Sequence, residues 1–155
     1  MSFVVAGLSP EPFAPLFGLD TAALADRSVI RMTVDSKPGF PCRITLEDAE
    51  PGETALLLNY EHQPAGTPYR SRHAIFVREA ARAPARFEGV VPPVMASRLL
   101  SLRAFDAGHM MIDAEVVEGA DAAPLIERFL ENPATAYLHA HAARRGCFVA
   151  RIDRA

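Results

Sequence analysis

The stretch richest in chemistry is Tyr137-Leu138-His139-Ala140-His141. Side chains two apart share a face of a strand, so on a strand both imidazoles would serve one metal ion, whereas on a helix they would diverge. A tetrahedral site needs further ligands; His62, His73, Glu61 and Asp106 are the donors on offer, and spacing fixes none of them. A lone His-x-His pair is a weak signal that ordinary strand histidines also satisfy. A second group is Asn59-Tyr60-Glu61-His62 followed by Tyr69-Arg70-Ser71-Arg72-His73. Guanidinium groups bind carboxylate or phosphate bidentately and tyrosine hydroxyls add donors, so such a rim suits an anion. A solvated loop is the plainer reading of the same residues. Arg43 and Arg103 each fall inside an expected strand among apolar neighbours. The candidate binding set is therefore Arg43, His62, Tyr69, Arg70, Arg103, His139 and His141, for a small anionic metabolite. If the site is catalytic, a histidine is the acid or base and an arginine faces developing negative charge.

These residues need strands to carry them, and from Val29 onward the apolar period is two. Ser2 to Ala6 reads as an opening strand, and two short helical elements follow, one from Ser9 to Gly18 and one from Asp20 to Asp26. Glu50-Pro51-Gly52-Glu53 has the composition of a type II turn and predicts a hairpin of Cys42 to Glu47 with Thr54 to Glu61. Arg72 to Arg78 is a further strand. For the next hairpin, a loop Ala107-Gly108-His109 with glycine left-handed pairs Asp106 with Met110, sets Leu102 opposite Ala114 and places Arg103 opposite Asp113. A slip by one residue would set Leu102 against Glu115, so the apolar pattern favours the first register. Asp121 to Glu131 is an amphipathic helix with Leu125, Ile126, Phe129 and Leu130 as its stripe.

The tail admits two readings. Asn132-Pro133, an alanine-rich run and Gly146 suit a helix; Ala136 to Ala142 turning through Ala143-Arg144-Arg145-Gly146 into Cys147 to Asp153 suits a hairpin. With Ala142 paired to Cys147, one face would carry Tyr137, His139, His141, Phe148, Ala150 and Ile152. The other would carry Leu138, Ala140, Ala142, Cys147 and Val149, with Cys147 a small buried thiol.

At 155 residues, 50% hydrophobic and 23% charged, the chain predicts a single globular α+β domain spanning 1–155. The expected fold is a mostly antiparallel β-sheet with an N-terminal helix and the 121–131 helix packed on a face. A net charge of −3 with scattered arginines argues against nucleic acid, and no apolar run is long enough to span a bilayer. Met1 to Gly7 has no secretory pattern, so the expected address is the cytoplasm with Cys42 and Cys147 reduced. Dinucleotide-binding, phosphate-loop, serine-hydrolase, zincin and Cys-x-x-Cys motifs do not occur, and no cofactor is implied.

Gly39-Phe40-Pro41-Cys42-Arg43, Leu46-Glu47-Asp48-Ala49, Pro68-Tyr69-Arg70, Ile75-Phe76-Val77, Leu102-Arg103-Ala104-Phe105-Asp106 and His139-Ala140-His141 with Gly146-Cys147-Phe148 form a recognisable set. Together they resemble a bacterial family of short single-domain proteins catalogued as a domain of unknown function. Such relatives carry β-branched residues around the two histidines where this chain has alanine, and the resemblance favours the hairpin. It implies one cytoplasmic domain and brings no activity, cofactor or catalytic residue. Besides the anion site, two alternatives stand: a non-enzymatic domain that dimerises or binds a protein through strand edges or the loop Gln63 to Tyr69, and a divalent-metal site at His139 and His141.

Overall fold

The structure, a computed structural model, describes residues 2–155. Nine strands run in chain order as β1 (Phe3–Ala6), β2 (Ile30–Thr33), β3 (Thr54–Gln63), β4 (Ser71–Arg78), β5 (Arg86–Glu88), β6 (Leu99–Phe105), β7 (Met111–Glu118), β8 (Tyr137–Ala142) and β9 (Phe148–Arg154). Three α-helices, α1 (Thr21–Ala25), α2 (Pro93–Ala96) and α3 (Ala122–Glu131), complete an α+β fold. The strands form two antiparallel sheets, one of six in the order β5-β1-β9-β8-β6-β7 and one of three in the order β2-β3-β4.

Leu125, Ile126, Phe129 and Leu130 recur on one face of α3, and that stripe packs on Leu102, Leu138, Ala140, Ala150 and Ile152 of the larger sheet. The helix stops before Pro133, and the Arg154 guanidinium donates to the carbonyls of Leu130 and Thr135 at 2.6 and 2.7 Å, satisfying groups that a helix end leaves open. A second core joins Leu56, Leu58, Ile75 and Val77 of the smaller sheet to Phe13 and Leu24 of the N-terminal segment. That segment opens with a turn and a single 3₁₀ turn, Ala14–Leu16, before Gly18 at φ +79° redirects it; α1 then starts at the cap Asp20, whose carboxylate accepts from the Ala23 N–H at 2.8 Å. Among the described residues, no helix is long and apolar enough to cross a membrane.

Three expectations are corrected. Glu50 to Glu53 does form a turn, with Gly52 at φ +92° and the Glu53 N–H bonded to the Glu50 carbonyl, but Cys42 to Glu47 is not a strand. Leu46 sits in the left-handed region, and the Leu46 N–H returns to the Cys42 carbonyl at 3.0 Å. The turn lets Ile44 enter the second core while Leu46 enters the first, which a period of two forbids. In the β6–β7 hairpin, His109 rather than Gly108 is left-handed. The loop closes with Asp106 on Met110, but a bulge after Phe105↔Met111 moves the ladder to Ala104↔Asp113, Arg103↔Ala114 and Leu102↔Glu115. β7 is an edge strand with mostly exposed side chains, so no buried face enforces the register that apolar matching favours. In the β8–β9 hairpin, which confirms the strand reading of the tail, a bulge between Ala140↔Ala150 and His141↔Phe148 moves Ala150 and Ile152 to the core face and brings Arg151 opposite His139.

The segment bearing Arg43 is clamped between the sheets. The Leu8 N–H donates to the Arg43 carbonyl at 2.8 Å, the Arg43 N–H to Phe76, and the Ala85 N–H to the Ile44 carbonyl at 2.8 Å. Gly7 lies beneath that last carbonyl, and a Cβ there would come within 2.0 Å of Ile44 O. Gly7→Ala is expected to destabilise the protein by about 1–3 kcal/mol through forced displacement of this segment; urea unfolding midpoints check it.

Candidate functional site

β8 is buried on both faces, because α3 lies under Leu138 and Ala140 while the ends of β3 and β4 approach the side of Tyr137, His139 and His141. Alternation puts both imidazoles on the second face. Across from them, Tyr60 and His73 are register partners in the smaller sheet, and the ladder slips between Tyr60 and Gln63. Continuing the alternation of Leu56, Leu58 and Tyr60, His62 faces inward, where its ring stacks on Phe148 at 5.2 Å and on His73 at 4.8 Å between centroids, and the slip brings buried Gln63 to the same side. Four imidazoles therefore meet between the sheets, with His141 4.9 Å from His62 and 5.6 Å from His73, and His139 6.0 Å from His62.

The hydrogen bonding of this cluster is incomplete. His62 Nε2 and His73 Nδ1 lie 2.8 Å apart, one donating to the other, and His141 Nδ1 donates to the Gly146 carbonyl at 2.9 Å. That bond fixes the tautomer of His141 and leaves its Nε2 as a lone pair. His141 Nε2, His62 Nδ1 and His139 Nδ1 are buried without a partner. One ring nitrogen from each of His62, His73 and His141 falls within 4.8 Å of the others.

All four rings are held neutral. Burial, joined by the positive potential of His73 and Arg103, brings His62 down to about 4. Burial, with His62, Arg151 and Arg103 adding to it, brings His139 to about 3. His141 also falls to about 3, chiefly through burial and only partly offset by its bond to Gly146. His73 is lowered in the same direction, by burial and then by Arg103. Arg103 stands beside His139 on β6, donates from Nε to Ser101 Oγ at 3.2 Å, and forms no ion pair among the described residues, since its cross-strand neighbour is Ala114 in place of the expected Asp113.

The other sequence candidates are placed elsewhere. Tyr69 is half-buried against Phe105, and it is Phe105 that packs on His139. Arg70 is exposed and paired with Glu61 at 3.1 Å, while Asp106 accepts from the N–H groups of Gly108 and Met110, so neither acid joins the imidazoles. Arg43 is buried in a different direction, donating to the carbonyls of Phe148 and Pro41 and to Cys147 Sγ. His62, Arg103, His139 and His141 are thus brought together and Arg43, Tyr69 and Arg70 are not. His73, one of the four possible metal donors in the sequence but not in the anion-binding set, joins the cluster through its place opposite Tyr60. At the far end of the hollow, Tyr137 Oη accepts from Gln63 Nε2 at 2.8 Å and meets His109 Nδ1 at 2.7 Å, under the Arg151 guanidinium at 4.1 Å from the ring centre.

Residues 39–154 match the family model described as "Protein of unknown function (DUF1203)". The chain belongs to this family. Every imidazole of the cluster, with Arg43, Arg103 and Cys147, lies inside the DUF1203 span. No curated protein and no solved structure gives a match.

The depressed imidazoles have a pH consequence in chelator-treated protein. Below the free value of 6.5 the unfolded chain takes up protons that folded His62, His139 and His141 refuse until about 4, 3 and 3. Their contribution to stability is complete above pH 6.5 and is lost as pH falls toward those values, at up to about 1.4 kcal/mol per pH unit for each ring. Urea midpoints measured between pH 7 and pH 4.5 should decline steeply, and His141→Gln should make the decline shallower.

Proposed function

We propose that this protein binds a divalent transition-metal ion through His62, His73 and His141. The observation that carries the reading is the convergence of one nitrogen from each ring within 4.8 Å, with His141 Nε2 buried and unpartnered. The donor chemistry fits. Imidazoles ligate as neutral rings, and burial keeps these neutral at physiological pH. The bond from His141 Nδ1 to the Gly146 carbonyl is the kind of outer contact that orients a ligating histidine. An all-nitrogen set suits zinc, copper, nickel or iron over magnesium or calcium. Three protein ligands leave room for an exchangeable fourth. His139 is next to the triad but outside it, so the pair His139 and His141 divides between two roles.

A second reading, the small anionic ligand, is favoured at the same place by Arg103. Among the described residues its guanidinium has no carboxylate partner, and it adds positive potential to every ring of the cluster. An anion in the exchangeable position would relieve that potential, so the two readings are compatible: the rings hold the metal and Arg103 selects a negatively charged fourth ligand.

Elemental analysis of untagged protein should find close to one equivalent of zinc, iron, nickel or copper per chain. After chelation, Co²⁺ titration should restore a visible spectrum in wild type and in His139→Ala but not in His141→Ala or His73→Ala. Metal-free wild type that also fails to bind Co²⁺ overturns the proposal.

A further inference from the structure

A cleft of about 760 Å³ opens beside the imidazole cluster, lined in part by Arg43, Arg98, Arg144, Arg145 and Cys147, with Leu57, Phe76 and Val149 among its apolar walls. Its volume is in the range of small-molecule sites. Its charge is unusual. Arg43 is only 2% exposed, and its three hydrogen bonds go to two carbonyl oxygens and to Cys147 Sγ, with no carboxylate among them. Burial draws Arg43 below the ordinary guanidinium value, and nearby Arg98 adds to the effect. Arg98 is already neutralised by Asp48 at 2.6 Å. At the mouth, Arg144 and Arg145 occupy the β8–β9 turn, exposed and without a hydrogen bond or ion pair among the described residues. Glu118 is the one carboxylate in the lining. Three guanidiniums without acidic partners thus converge from the floor and rim of one concavity.

We infer that this cleft is a binding site for a small organic anion, with a phosphate or carboxylate head held by Arg43, Arg144 and Arg145 and an apolar body against Leu57, Phe76 and Val149. Guanidinium is suited to both heads because its parallel N–H groups match two oxygens at once. The inference is independent of the metal proposal, although His73 lines the cleft as well and places the two sites side by side. Cys147 reports on occupancy: it is half-buried in the lining, whereas Cys42, the other free thiol, is fully buried.

The test uses full-length, chelator-treated protein with inorganic phosphate and phenyl phosphate as probes, following iodoacetamide alkylation of Cys147 by mass spectrometry. Each probe should slow alkylation saturably, by roughly tenfold at ten times its half-effect concentration, with phenyl phosphate acting at lower concentration than phosphate. The double variant Arg144→Ala/Arg145→Ala alters only exposed side chains and should lose the protection, while His62→Ala, which removes a proposed metal ligand outside the cleft lining and the β8–β9 turn, should retain it. Alkylation indifferent to both probes, or protection equal in the double variant and wild type, overturns the inference. Failure of the metal proposal would leave this result unchanged.

Discussion

A strand with no face toward water governs this molecule. β8 has α3 beneath it and the ends of β3 and β4 above it, so Leu138 and Ala140 are buried on one side and Tyr137, His139 and His141 on the other. An imidazole taken out of water gives up its proton before anything else, because the charged form loses most by desolvation. The neutral ring still carries one donor and one acceptor, and each unpaired buried atom costs about 1–3 kcal/mol. Three ring nitrogens in this cluster are left in that condition. An all-apolar layer would have filled the space between the sheets with no such loss, so these rings mark a place where folding stability is given up.

Two irregularities complete the surroundings of the rings. In a perfect β8–β9 ladder Ala150 and Ile152 would share the histidine face with Phe148; the bulge keeps Phe148 there, returns Ala150 and Ile152 to the core and supplies Arg151 instead. The slip between Tyr60 and Gln63 leaves His62 on the inner face that Leu58 and Tyr60 already occupy and adds Gln63, which donates to Tyr137 at the end of the hollow. Bulges add a residue to one strand and turn the side chains beyond it. Both lie within a few residues of the imidazoles, while the third, near Phe105, lies on the exposed edge and affects only the register with β7.

Regular periodicity was legible in the sequence and interruptions were not. The stripe Leu125, Ile126, Phe129 and Leu130 and the strand Ser71–Arg78 follow from spacing because each has a buried face that repeats, whereas spacing in the alanine-rich tail suits helix and hairpin alike and only the family resemblance favours the hairpin. Given the strand, the His-x-His face is legible from alternation. The Arg43 segment defeats the rule, since Ile44 and Leu46 are apolar at a period of two yet belong to different cores. The partner of Arg103 was misplaced by one residue because the edge strand imposes no penalty for a bulge. Cys147 gains its significance from Arg43, far away in the chain, and local pattern carries no such information.

The DUF1203 span opens at Gly39, after β1 has already been laid down. Yet β1 is an interior strand of the larger sheet, held between β5 and β9, with Phe3 and Val5 buried beneath it. The unit recognised by sequence and the unit that closes as a solid are therefore different objects. A polypeptide trimmed to the recognised span would bare one long border of β9 and leave β5 with nothing to pair to, inviting self-association along an unpaired backbone.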